Sequence, residues 1–192
     1  MKLQKTPVHG FTTRANGLVR ELRNEILISE AYRPEPGVPD PPREKFVSIW
    51  DTGATNTVVT RKVVDSLRLQ PSGRVVVRTV GEGSNFNEYE VSTYLVNLFL
   101  PNNVIVGAVP VSEGGIGGAD VLIGMDIITM GDFAITNGNG QSCWTFRMPS
   151  VEEIDFVKEI QEHNKKYRHL LLSDEQRQKL RNKAKRERQK NR

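Results

Sequence analysis

The stretch Phe46-Val47-Ser48-Ile49-Trp50 is an apolar strand that runs straight into Asp51-Thr52-Gly53-Ala54. A carboxylate at the end of a mostly buried strand costs free energy unless it is paired or hydrogen-bonded. Thr52 adds a hydroxyl and Gly53 a permissive backbone directly after it. Chemistry is the best reason for such a placement: the chain supplies one half of a two-carboxylate site. Thr57-Val58-Val59 then continues in a β-branched run.

The surrounding sequence is rich in strands and turns. Leu18-Val19 and Glu25 to Ser29 read as short apolar strands, bounded by Asn16-Gly17 and by the prolines that follow. Residues 33–42 hold Pro34, Pro36, Gly37, Pro39, Pro41 and Pro42, which excludes a central strand or helix and predicts an extended surface loop. Val58 to Leu69 fits a short helix or a turn and strand. Gly73 to Val80 is β-rich, and Gly81-Glu82-Gly83-Ser84-Asn85 is a turn. Tyr89 to Leu100 predicts a long strand that turns at Pro101-Asn102-Asn103 into Val104 to Val111. Phe133 to Thr136 and Ser142 to Arg147 form a second hairpin around Asn137-Gly138-Asn139-Gly140.

From Val151 the period changes. Ile154, Val157 and Ile160 recur at helical spacing, and Ser173 with Gln176 marks the start of a second helix over about 174–190. The chain therefore divides into a β-body, 1–150, and a helical tail, 151–192. Charge divides it at nearly the same place. Lys165 to Arg192 carry twelve Lys/Arg against three Asp/Glu, a net of +9, while the whole chain is only +4, so the remainder is −5. A basic tail on an acidic body is an organisational boundary.

Other classes are set aside by what the sequence lacks. No apolar run reaches the roughly 18 residues of a membrane span. Met1 to Gly10 has no apolar core of a secretory signal. One cysteine, Cys143, cannot close an internal disulfide, so the expected setting is reducing and cytoplasmic. Cys143 reads as a small packed residue beside Trp144, with nothing near it in sequence to activate a thiol. His9, His163 and His169 are scattered without metal-ligand spacing, so no metal and no cofactor are expected. Gly81–Gly83 and Gly114–Gly118 lack the Gly-Lys-Ser/Thr that completes a phosphate loop. Asp120 and Asp126 read as hydrogen bonders at a helix terminus rather than as catalytic acids.

Asp-Thr-Gly alone is a common tripeptide. A second signature follows about seventy positions on: Val121-Leu122-Ile123-Gly124, two large apolar residues before a glycine. With both in view, the chain resembles the retroviral-type, or retropepsin-like, aspartic proteases, and in Gly131 to Met148 their stand-alone bacterial members. The resemblance covers about residues 20–148. It implies a mainly β fold: a closed or partly open barrel of the acid-protease type with a flap hairpin, extended here by the α-helical tail.

By the same resemblance, Asp51 is the catalytic acid and Leu122-Ile123-Gly124 threads behind its loop. Thr52 cross-links the two loops of a dimer, Gly53 offers its carbonyl to substrate, and Ala54 and Val58 line the cleft. Gly81 and Gly83 belong to the flap tip. Pepsin-like enzymes carry two Asp-Thr-Gly copies, whereas this chain has one, so the resemblance implies a homodimer with one Asp51 from each subunit. The expected activity is that of an aspartic endopeptidase acting on a peptide or protein. Two positions depart from many viral members: Thr55 and Met125 stand where those carry an ion pair. The tip at 81–85 is acidic rather than apolar. These departures support an alternative, a weak or inactive protease-fold dimer that acts as a binding module. In it, the basic tail contacts nucleic acid or a protein partner.

Overall fold

A computed structural model describes residues 7–80, 86–167 and 173–190. It divides into two compact units, Met1–Val151 and Glu152–Arg192.

The first unit is built of ten strands: β1 (His9–Arg14), β2 (Leu22–Glu30), β3 (Glu44–Trp50), β4 (Val58–Val59), β5 (Gly73–Val80), β6 (Phe86–Leu100), β7 (Val104–Glu113), β8 (Val121–Ile123), β9 (Asp132–Thr136) and β10 (Cys143–Met148). Two short helices, α1 (Arg61–Leu67) and α2 (Met125–Ile128), interrupt them. One sheet runs β2-β3-β8-β4-β7-β6-β5. Its strand β2 also pairs with β6, in the register Leu27↔Phe99 to Glu30↔Val96. That extra pairing closes six strands into a barrel and leaves β5 outside, on the flank of β6. Closure removes most of the free edges an open sheet would carry.

The barrel is filled by the inward half of each alternating strand. Ile26 and Ile28 of β2, Phe46 of β3, Val96 and Leu98 of β6, Val104 and Val106 of β7, and Val121 and Ile123 of β8 are all buried in one cluster. The long strand β6 shifts register between Val96 and Leu98. There the buried Asn97 turns its side-chain oxygen to the Ala108 N–H at 2.8 Å.

A second sheet, β1-β10-β9, is antiparallel throughout. It packs on the barrel through aromatic rings. Trp50, at the end of β3, stacks on Phe133 of β9 at 5.0 Å and meets Phe146 at 5.4 Å and Phe11 at 5.8 Å. At this junction the buried Asn24 accepts from both indoles with one oxygen, from Trp50 Nε1 at 2.9 Å and Trp144 Nε1 at 3.0 Å. Its amide nitrogen donates to Thr13 Oγ1 at 2.7 Å. One carboxamide thus ties β1, β3 and β10 to β2.

Leu18-Val19 is not a strand. The segment is a loop in which Leu18 is exposed. Ser142 holds it: Val19 N–H donates to Ser142 Oγ at 3.1 Å, Ala15 N–H to the Ser142 carbonyl at 2.9 Å, and Ser142 N–H to the Gly17 carbonyl at 3.0 Å. These bonds replace the ladder a strand would have needed.

The second unit holds α3 (Phe156–Lys166) and α4 (Asp174–Lys190). Asp155 caps α3, accepting from Val157 and Lys158 N–H at 3.0 and 3.1 Å. Ser173 and Gln176 form the reciprocal capping pair legible in the sequence: Ser173 N–H donates to Gln176 Oε1 at 2.8 Å, and Gln176 N–H to Ser173 Oγ at 3.2 Å. Val157 and Ile160, the apolar residues at helical spacing within α3, are exposed. No helix among the described residues is long and apolar enough to cross a membrane.

Candidate active site

Parallel pairing of β3 with β8 fixes where the chain leaves β3. Trp50 pairs with Ile123, and the next N–H, that of Asp51, donates to the Ile123 carbonyl at 3.0 Å. The chain then turns sharply. Gly53 N–H donates to Asp51 Oδ1 at 2.8 Å, and Ala54 N–H to the Asp51 carbonyl at 3.3 Å. Asp51 is half-buried, while Thr52 and Gly53 beyond it are exposed. The turn therefore presents one carboxylate, oriented by a backbone N–H, at the surface of the barrel.

The loop after Asp51 is clamped from below by the segment that leaves β8. Met125 N–H donates to the Ala54 carbonyl at 2.8 Å and Asp126 N–H to the Thr55 carbonyl at 3.1 Å. The Asp126 carboxylate grips Thr57, accepting from its N–H at 3.0 Å and its hydroxyl at 2.8 Å. The same Thr57 oxygen accepts from Gly124 N–H at 3.2 Å. Thr57 is fully buried, so each of these bonds matters. Beyond it, β4 runs antiparallel to β8 through Val58↔Leu122. Strand β8 thus lies between β3 and β4, and Leu122-Ile123-Gly124 passes through the turn made by 51–57. Gly124 is there because a Cβ would sit 2.6 Å from the backbone carbon of Asn56.

The structure brings Asp51, Thr52, Gly53, Ala54, Val58, Leu122, Ile123 and Gly124 together around one turn. Gly81 and Gly83 lie outside the described residues. Of the described residues that flank them, β5 and β6 pair antiparallel from Gly73↔Thr93 to Val80↔Phe86. Sequence reasoning missed Thr57, the residue on which the clamp converges. Its only signal was a hydroxyl three positions after Ala54 and an acid two after Gly124. Asp126 does bond within the first turn of α2, accepting from Ile127 N–H at 3.0 Å, but its larger part is to hold Thr57.

Asp120 differs from its expected place. It stands before β8 rather than at a helix end, and its carboxylate accepts from Val47 N–H at 3.0 Å and from Lys62 Nζ at 2.9 Å. Burial alone would raise its pKa, but the Val47 N–H and the Lys62 ammonium outweigh burial and hold it below the ordinary 3.8. A carboxylate depressed in the folded state stabilises the fold above its unfolded pKa and loses that contribution as pH falls through the folded value. Below about pH 4, wild-type stability should therefore decline more steeply than that of Asp120→Asn. Urea midpoints from pH 6 to 2.5 test this; parallel curves would contradict it.

A cavity of about 370 Å³ opens beside Asp51 and Thr52, walled by Leu22, Ile49, Trp50, Phe133 and Ile135. Its other acid, Glu21, is paired with Arg23 at 2.6 Å. A larger hollow of about 600 Å³ lies away from Asp51, between the start of α1 and β6. There Glu113 accepts from Tyr94 Oη at 2.9 Å and pairs with Arg61 at 2.9 Å. Burial, then the Glu113 carboxylate, raises the Tyr94 pKa.

Residues 44–127, from the start of β3 into α2, match the family model described as aspartyl protease. Over that stretch the chain is similar to the aspartyl proteases. The matched stretch contains both the Asp51 turn and the β8 segment threaded through it. The mainly β architecture with its closed six-strand barrel is the retropepsin-like fold that the sequence implied. Among solved structures, it is similar to a retropepsin-like aspartic protease from Rickettsia conorii (12% identity, TM-score 0.42, 76% of this chain and 98% of that one). It is also similar to the retroviral protease-like domain of Ddi1 from Leishmania major (14% identity, TM-score 0.35, 68% of this chain and 95% of that one). No curated protein matches it.

Proposed function

We propose that this protein is an aspartic endopeptidase whose catalytic unit is a homodimer, with one Asp51 from each subunit facing a shared water. The observation that carries this is the Asp51 turn: one oriented carboxylate per chain, beside a cavity whose other acid is already paired. A single carboxylate is half of an acid–base pair. Two brought to about 3 Å cannot both ionise and so share a proton. The ionised member then takes a proton from the bound water as it attacks the scissile carbonyl. The protonated member hydrogen-bonds the carbonyl oxygen. The dyad titrates as a unit, so its pKa values belong to the pair.

In this reading Thr52, exposed on one chain, bonds across the two-fold to its twin. The Gly53 carbonyl receives the substrate backbone, Ala54 and Val58 line the cleft, and the β5–β6 hairpin folds over the peptide as a flap that excludes water. The setting is cytoplasmic.

Such an enzyme loses activity on dilution. Specific activity against a peptide library should fall as the protein is diluted through its dimer dissociation constant, in step with sedimentation. Activity per mole that stays constant in a purely monomeric sample would overturn the dimer. A dimer that cleaves nothing would favour the second reading, supported by the net +9 of residues 165–192: a protease-fold scaffold whose tail contacts nucleic acid or a protein partner.

A further inference from the structure

We propose that α3 is a membrane-surface helix, lying in the plane of an anionic lipid bilayer with its apolar side among the acyl chains and held there by the basic segment that follows it. The proposal concerns the second unit by itself and does not depend on what Asp51 does.

The helix has two unlike sides. At about 100° per residue, Phe156, Ile160 and the C-cap Tyr167 fall along one side of α3, with Val157 at its margin. Lys158, Glu162 and Lys165 fall on the other. Phe156, Val157 and Ile160 are 61%, 63% and 55% exposed, so nothing among the described residues covers them. At the C-terminal end of that side, the Tyr167 ring meets the His163 ring at 4.6 Å and the Lys166 ammonium at 5.5 Å. An aromatic ring with a polar tip, set beside a lysine, suits headgroup depth. The 11 residues of α3 are about 16 Å long. The hydrocarbon core of a bilayer is about 30 Å thick, so a helix this short lies on a membrane rather than across it.

Charge decides the occupant. The acids stand early: Glu152, Glu153 and Asp155 before α3, Glu159 and Glu162 in its first two turns. From Lys165 onward the sequence carries a net +9. A nucleic acid would neutralise that charge but leave Phe156, Val157 and Ile160 in water, and the basic segment offers only Tyr167 for a base to stack on. A groove in another protein would cover the apolar side without any use for the charge. An anionic bilayer answers both: its headgroups take the charge and its acyl boundary takes the apolar side. One such signal binds a membrane marginally, whereas two together hold. Leu170-Leu171-Leu172, between α3 and α4, adds apolar sequence to the same stretch.

The test is sedimentation of the full chain with lipid vesicles. Vesicles of equal parts phosphatidylcholine and phosphatidylglycerol should carry the protein down. Vesicles of phosphatidylcholine alone should bind it at least about tenfold more weakly, because each Lys or Arg near an anionic surface adds to the attraction. Phe156→Ser combined with Ile160→Ser removes two lipid-facing side chains and should weaken binding to the anionic vesicles at least about tenfold. Near-UV circular dichroism of the first unit should stay native. Phe156→Trp gives a second readout. Brominated acyl chains should quench its emission on binding but not that of the wild type, whose two tryptophans are buried in the first unit. Equal binding of the wild type and the double variant would leave only the charge of the tail and overturn the role of α3. Absence of binding to anionic vesicles overturns the proposal, and polyuridylate binding in its place would assign the basic segment to nucleic acid.

Discussion

Asp51→Asn is expected to abolish peptide cleavage while leaving the protein folded. The substitution keeps the size of the side chain, and an amide oxygen can still accept from Gly53 N–H. What it removes is the proton chemistry, and in a homodimer it removes it from both halves at once. Loss of a positioned acid–base group costs about 10²–10⁴ in rate, and groups that act as a unit cost more together. A fall in kcat/KM of about 10⁴ or more is the expected result, read on a cleaved peptide with native near-UV circular dichroism as the control. Activity within tenfold of wild type would remove Asp51 from the mechanism.

Gly124→Ala should be the most damaging single methyl in the site. The new Cβ would lie 2.6 and 2.7 Å from the carbon and oxygen of Asn56 and 3.1 Å from the Ala54 oxygen. All three are backbone atoms, so no side chain can swing aside. Residues 54–56 must move, and with them the bonds from Met125 and Asp126 that support the turn. Overpacking of this kind costs about 3 kcal/mol. For a domain near 150 residues that is a drop in Tm of roughly 10 °C. Because the displaced segment directly follows Asp51, activity of the molecules that do fold should fall by about 100-fold as well. Gly115→Ala is the control, since a Cβ there meets nothing within 4 Å. A Gly124→Ala variant as stable as Gly115→Ala would mean that the loop is softer than its hydrogen bonds imply.

What could be read in the sequence was local. The strand into Asp51, the turn at Pro101–Asn103, the second hairpin and the Ser173–Gln176 cap are each written in a few consecutive residues, and each is in place. What could not be read depends on residues far apart in the chain. Nothing near Leu27 announces that it will pair with Phe99 and close the barrel. Thr57 looks like one β-branched residue in a run, yet it is the residue that Asp126, 69 positions later, holds by two bonds. Leu18-Val19 has the composition of a strand but lies where Ser142, over 120 positions away, supplies its hydrogen bonds instead. Asp120 and Asp126 look alike in sequence, each an acid beside a short apolar strand, yet their partners differ completely. Polar side chains that reach across the fold leave little periodic trace.

Asn24 has a practical use. The chain contains two tryptophans, and both indoles donate to the oxygen of this one residue. All indole emission therefore originates at the junction of the barrel and the small sheet, one residue from Asp51. The protein carries its own optical probe of that junction. A shift in emission on admitting a peptide, or on forming the proposed dimer, would be reported from beside the Asp51 turn, with no label added.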